Sequence, residues 1–370
     1  MSTFSELGIS NGLVKGLTEM SIVQPSEIQQ LAIPILLSSE NDFIGQAQTG
    51  TGKTAAFGLP LLQRIDPKRD EVQGLILAPT RELCQQIAKQ LFKFTKYSDK
   101  IFIEAVYGGA DMTQQIQRLQ RPTHIIVATP GRLMDLINKE VVDISQVKTV
   151  VLDEADEMLS MGFKQDLHAI LDFVPTERTT WLFSATMPDG IKEIIKKFLR
   201  PDPIRIEVGR SAGVNANITH EFVICNSKDK VQEILHFLSY HKDERGMIFC
   251  QTKQAARVLT KQLQAKNISV DVIEGDMGQR DRDKVMRMFK TEKTEILVST
   301  DISARGIDVK GLSFVLHYQL PQQFEYYTHR SGRTGRAGAK GVSILFISEK
   351  DRSKLLEIER ELKIKIKPLS

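Results

Sequence analysis

Cysteine is scarce in this sequence: three residues in 370, Cys84, Cys225 and Cys250. Their odd count, wide separation and lack of metal-ligand spacing argue against a disulfide framework or a cysteine zinc site, and they read as reduced core or wall residues of a cytosolic protein. No run of 18 apolar residues occurs, so no segment reads as a membrane span. The opening M-S-T-F-S-E-L-G-I-S has neither the basic nor the apolar region of an export signal. An excess of one charge is missing too. Lys plus Arg number 50 against 46 Asp plus Glu, a formal +4, so net charge alone does not argue for nucleic acid and any basic surface must come from arrangement. The expectation is a cytoplasmic chain, neither exported nor in the membrane.

What is present is ordinary globular composition, 41% hydrophobic and 26% charged, over a length that suits two domains. Two helical segments occupy the first forty residues, the second opened by Ser26 behind Pro25. Short apolar strands then alternate with helical patterns: D-F-I-G, G-L-I-L-A, I-F-I-E-A-V-Y, H-I-I-V-A, V-V-L-D and T-W-L-F-S. Such alternation predicts a mainly parallel sheet with helices on both faces, an α/β fold. The stretch from Val208 to Asn217 has little periodicity and much Gly, Asn and Ser, and is the expected flexible linker at 208–217. A second strand series runs from H-E-F-V-I-C to V-S-I-L-F-I. The expected domains are therefore 1–207 and 218–370.

The chemistry concentrates in three stretches. Between strand D-F-I-G and a helical pattern lies A-Q-T-G-T-G-K-T, Ala47 to Thr54. Gly50 and Gly52 permit a tight loop, so the amides from Thr49 through Thr51 to Gly52 can face one anion. Lys53 can reach terminal phosphates and the Thr54 hydroxyl can sit on Mg2+. The strict phosphate-loop pattern has Gly where this chain has Ala47. About a hundred residues on, V-V-L ends in Asp153, Glu154 and Asp156. Three acids so close call for a cation: Asp153 can hold Mg2+, with Glu154 beside it, and Glu154 can orient and deprotonate a water. Phosphoryl transfer needs a further cation at the γ phosphate, and H-R-S-G-R-T-G-R, His329 to Arg336, offers three arginines at intervals of three among glycines.

These stretches resemble the DEAD-box ATP-dependent RNA helicases, with D-E-A-D at Asp153, S-A-T at Ser184 to Thr186 and P-S-E-I-Q at Pro25 to Gln29. The resemblance implies two tandem RecA-like domains, ATP and Mg2+ as cofactors, and RNA as a sequence-independent partner. It implies that Gln29 reads the adenine edge, that Phe4 packs on the base, that Asp308 touches the ribose and that Arg333 and Arg336 reach the γ phosphate. RNA contacts are implied for Pro79, Thr80 and Arg81, for Gly108 and Gly109, for Thr129 and Arg132, and for Thr252, Gln279, Arg282 and Thr300. Ser21, Ile22, Ser303 and Gln319 depart from the family's usual residues; none removes a catalytic group, and the departures bear on nucleotide affinity rather than on the class. D-E-A-D-E-M-L-S-M-G-F is similar to the bacterial cold-shock and ribosome-assembly type, which leaves ribosomal or RNA-decay partners open; similar cores serve translation and splicing.

The mechanism expected is ATP-gated closure of two domains that each carry half of both sites, with a kink forced on the bound strand by the helix near Leu133. Asp156 is expected to couple the sites through Ser184 and Thr186 or the region of His329. Two other readings stay open: an ATP-dependent RNA clamp with little unwinding, and a DNA translocase on the same core.

Overall fold

Val150, Val151 and Leu152 show why sheets form here. Val150 and Leu152 pack on one face with Ile44, Leu75, Leu77 and Ile126. Val151 packs on the other with Phe43, Ile76, Val127 and Trp181. Strands apolar on both faces need helices on both faces, and the chain supplies them. The structure, a computed structural model, describes residues 2–48, 50–208, 217–304, 307, 309, 311–322, 324–335 and 339–369. It forms two units, Met1–Val208 and Gly209–Ser370.

In the first unit α1 (Asn11–Glu19) and α2 (Glu27–Ser38) precede β1 (Phe43–Gln46), α3 (Lys53–Arg64), β2 (Gly74–Leu77), α4 (Arg81–Phe94), β3 (Ile103–Val106) and α5 (Met112–Leu119). Then follow β4 (Ile125–Ala128), α6 (Pro130–Asn138), β5 (Thr149–Leu152), α7 (Ala155–Ser160), α8 (Lys164–Phe173), β6 (Thr179–Ser184), α9 (Asp189–Phe198) and β7 (Ile204–Glu207). The sheet order is β3-β4-β2-β5-β6-β1-β7, every pairing parallel. All strands therefore end at one edge.

The second unit comprises β8 (Ile218–Ile224), α10 (Lys230–Tyr240), β9 (Gly246–Cys250), α11 (Lys253–Gln264), β10 (Val270–Ile273), α12 (Gln279–Lys290) and β11 (Ile296–Thr300). It continues with α13 (Asp301–Ala304), β12 (Phe314–His317), α14 (Phe324–Ser331), β13 (Gly341–Ile347), α15 (Arg352–Leu362) and β14 (Lys367–Pro368). Its sheet runs β10-β11-β9-β12-β13-β8-β14, again parallel throughout. Both units are RecA-like, as expected. Sequence reasoning missed β7 and β14, which extend the two sheets by one edge strand each. In β7 the outward residues Arg205 and Glu207 are charged and Pro201 and Pro203 stand just before it, so no apolar run marks it. No described helix is long and apolar enough to cross a membrane.

Candidate functional site

The phosphate-loop candidate bridges β1 and α3. Gly50 and Gly52 take positive φ, 81° and 96°, a region other residues enter at a cost. A Cβ on Gly52 would also lie 2.4 Å from Gln29 Nε2. The loop is held from outside by α2: Ser26 Oγ donates to Thr51 O at 2.7 Å and Gln29 Nε2 donates to Gly52 O at 2.9 Å. Gln29 Oε1 accepts the Ser26 amide at 2.9 Å. The side chain expected to read adenine thus also grips the loop. Lys53 is buried at 6% exposure and donates to Ala47 O at 3.0 Å, Thr51 donates to Gln48 O, and Thr54 is half-buried at the start of α3. Thr49 lies outside the described residues. Phe4, expected against the base, is buried in the apolar cluster with Leu13, Ile28 and Phe57.

At the end of β5, Asp153 is 3% exposed and its Oδ1 accepts the Glu154 amide at 3.0 Å. Glu154 turns the chain with φ 49°, ψ 50°, and α7 begins at once. Asp156 is fully engaged: Oδ2 accepts from Thr186 N at 2.8 Å and Thr186 Oγ1 at 2.7 Å, Oδ1 accepts from Glu157 N at 3.1 Å, and its own amide donates to Ser184 Oγ at 3.3 Å. Of the two pairings open for Asp156, the one with the S-A-T segment is present within the first unit.

Residues expected on RNA follow β2, β3 and β4, on the other half of the same edge. Pro79 and Thr80 close β2, and Thr80 Oγ1 caps α4 by accepting Leu83 N at 3.2 Å. The Arg81 guanidinium lies 5.0 Å over the Tyr107 ring. Gly109, exposed with φ 77°, turns the chain after β3. Thr129 precedes α6, and Arg132 NH1 donates to Gln115 Oε1 at 2.9 Å and Ala110 O at 3.2 Å, which fixes its guanidinium.

The second unit divides its edge likewise. Thr252 follows β9 and caps α11, accepting Ala255 N at 3.1 Å. Gln279 opens α12 and donates to Asp283 Oδ1. Arg282 NH2 donates to Ser303 O at 2.9 Å, and Thr300, ending β11, donates to Ser303 Oγ at 3.0 Å. Ser303, one of the departures, thus joins Arg282 to Thr300. On the other half, α14 carries half-buried His329, and Arg333 NH1 donates to Ile307 O at 2.8 Å. Asp308 and Arg336 lie outside the described residues. Arg330, read with its neighbours as a finger candidate, is committed elsewhere. It is 1% exposed and makes a bidentate pair with Asp301, 2.5 and 2.7 Å, while NH1 donates to Gln319 O at 2.8 Å. Nothing short-range in the sequence marks this pair, 29 residues apart.

Residues 26–194 match the DEAD/DEAH box helicase family and 229–338 the helicase conserved C-terminal domain. A DEAD-box ATP-dependent RNA helicase of Bacillus cereus, CshA, is 43% identical over 366 residues, 99% of this chain and 69% of that protein. The chain belongs to the DEAD-box ATP-dependent RNA helicases. The Listeria monocytogenes CshA is 42% identical over 370 residues, all of this chain and 70% of its own length. Among solved structures, Saccharomyces cerevisiae Dbp5 bound to RNA and ADP BeF3 superposes with a TM-score of 0.91 at 32% identity, covering 100% of this chain and 96% of that one.

The helicase's acids carry an electrostatic signature. Burial raises the Asp153 carboxyl to about 7, the charges of Glu154 and Asp156 push the same way, and Lys53 opposes them. A carboxylate so crowded is stabilised by any added cation. Among the described residues no three His, Cys, Asp or Glu side chains form a metal cage. One carboxylate and the Thr54 hydroxyl are hard oxygen donors of the kind Mg2+ takes when substrate phosphates and water supply the rest. That donor set fits Mg2+.

Proposed function

We propose that the helicase hydrolyses ATP to ADP and phosphate with RNA stimulation, and uses ATP-gated closure of its two units to separate short RNA duplexes or remodel RNA–protein complexes in the cytoplasm. The observation that carries this reading is the Asp156 grip on Thr186, between the segments after β5 and β6, where β5 borders β2 and so the RNA half of the first sheet edge. A nucleotide that reorients the segment after Asp153 moves, through Thr186, the loop after β6. Coupling of this kind needs a bistable element touched by both sites, and this pair is the candidate.

The site residues then take their roles. Gly50, Thr51 and Gly52 present amides to the phosphates, with Lys53 leaving Ala47 O for the nucleotide. Asp153 and Thr54 would hold Mg2+, which when bound neutralises charge on the β and γ phosphates. Glu154, at the mouth of the strand, orients and deprotonates water. Arg333 and Arg336 supply transition-state charge. RNA and an ATP analogue are carried over from Dbp5, whose solved complex contains RNA and ADP BeF3. The loops at Thr80, Gly109, Thr129, Thr252 and Thr300 contact sugar and phosphate, which confers affinity without sequence. Helix α6, opening at Pro130, forces the bound strand out of duplex geometry.

Strand displacement from a short duplex under excess ATP tests the reading. ATP-dependent displacement, with RNA and a non-hydrolysable ATP analogue tightening each other's binding by the same factor, supports it. Mutual tightening without displacement identifies an RNA clamp instead.

A further inference from the structure

Helix α4 starts beside Thr80, at the expected RNA loop, and its exposed side sets an open aromatic ring among lysines. Arg81, Gln85, Lys89, Phe92 and Lys93 recur at intervals of three and four, one stripe along the helix, and Lys96 follows on the 3-10 turn Thr95–Tyr97. The Phe92 ring is 68% exposed. Lys89 and Lys93 are exposed one turn apart, with no ion-pair partner among the described residues, and like charges so spaced repel. Lys96 pairs with Glu19. Helix α9 pairs two of its three lysines, Lys192 with Asp189 at 2.8 Å and Lys197 with Asp172 at 3.4 Å, and carries no exposed aromatic ring beside them. A face like that of α9 needs no ligand. Lysines flanking an open phenyl ring combine backbone cations with a stacking platform, which is the composition single-stranded nucleic acid requires.

We propose that the stripe from Gln85 to Lys93 on α4, with Lys96 on the turn after it, is a second contact for single-stranded RNA, continuing the strand path beyond Arg81. The inference rests on the RNA reading of the Thr80–Arg81 loop. The eight steps from Gln85 to Lys93 at about 1.5 Å rise span about 12 Å, the length of roughly four stacked nucleotides at about 3.4 Å each, and Lys96 lies just beyond. An acidic protein segment would satisfy the lysines, but it leaves the phenyl ring without a planar partner, and it lacks the continuity with Arg81 that an RNA strand has.

The test uses the full chain with a non-hydrolysable ATP analogue and two RNAs, one of roughly eight nucleotides and one roughly six longer. The variant combines Lys89→Ala, Phe92→Ala and Lys93→Ala, all at exposed positions. The parent should gain from the added length about tenfold more affinity than the variant does. The variant's salt slope on the longer RNA should fall by about 1.4, roughly 0.7 for each lysine. ATPase stimulation by the short RNA should be unchanged. Equal gains in parent and variant overturn the proposal. So does polyglutamate binding that needs the three residues while the length gain survives, which would make the stripe a protein-docking surface. Arg81→Ala separates the two readings: it should weaken both RNAs, and no effect on either defeats the underlying RNA assignment instead.

Discussion

The two halves of each sheet edge bury charge to different degrees. Where Lys53, Asp153, Asp156, Arg330 and Arg333 sit, charged groups are buried and bonded to the protein's own carbonyls, amides and carboxylates. Where Arg81, Arg132, Arg282 and Thr252 sit, the cations are half-buried and the Thr252 cap lies open, while Thr80 and Thr129 are buried. A buried charge is worth much only in one geometry and costs heavily when its partner is removed. A surface cation contributes a little in many geometries and fades with salt. The first half suits a ligand of fixed shape, and the second a polymer read by its backbone.

The comparison breaks most visibly at the buried half. Lys53→Ala or Glu154→Gln should reduce RNA-stimulated phosphate release by at least about 10²–10³-fold, the scale seen when one preorganised transition-state group is lost; near-parental turnover would refute the site. Asp301→Ala leaves Arg330 buried without its carboxylate. It should lower the second unit's stability in denaturant by about 3–5 kcal/mol, whereas loss within the surface-pair range would show the pair to be peripheral.

The same buried network makes a pH prediction. His220 Nδ1 lies 2.6 Å from Tyr327 OH, the Tyr327 ring stacks on His317, and burial lowers the His220 pKa to about 4. The unfolded chain therefore binds a proton near 6.5 that the folded chain resists. The contribution is present above pH 6.5 and lost as pH falls through 4, about 3 kcal/mol in all. His220→Gln should flatten that part of the stability–pH curve; an unaltered slope contradicts it. On the exposed half effects shrink. Arg81→Ala should weaken RNA several-fold, uniformly across sequences, and lower the salt slope by about 0.7. A sequence-dependent loss would show base reading there.

Legibility followed range along the chain. The strand run Val150 to Leu152 and the glycines Gly50 and Gly52 act through their own backbone, so period and residue type disclosed them. The Gln29 and Ser26 bonds to Gly52 and Thr51, and the Asp301–Arg330 pair, join residues more than twenty positions apart, and neither alone looks unusual. Strand β7 was missed because an edge strand with charged outward residues has no apolar run to show. Motif order also hid the spatial sorting: the loops after β1 and β5 precede and follow those after β2, β3 and β4, and only the sheet order separates them.

The central claim is that Asp156, through Thr186, links ATP to RNA. The direct measurement is ATP hydrolysis by Asp156→Ala with and without saturating RNA, alongside ATP-analogue binding. Retained nucleotide binding with loss of RNA stimulation is the predicted result; stimulation equal to the parent's would contradict it.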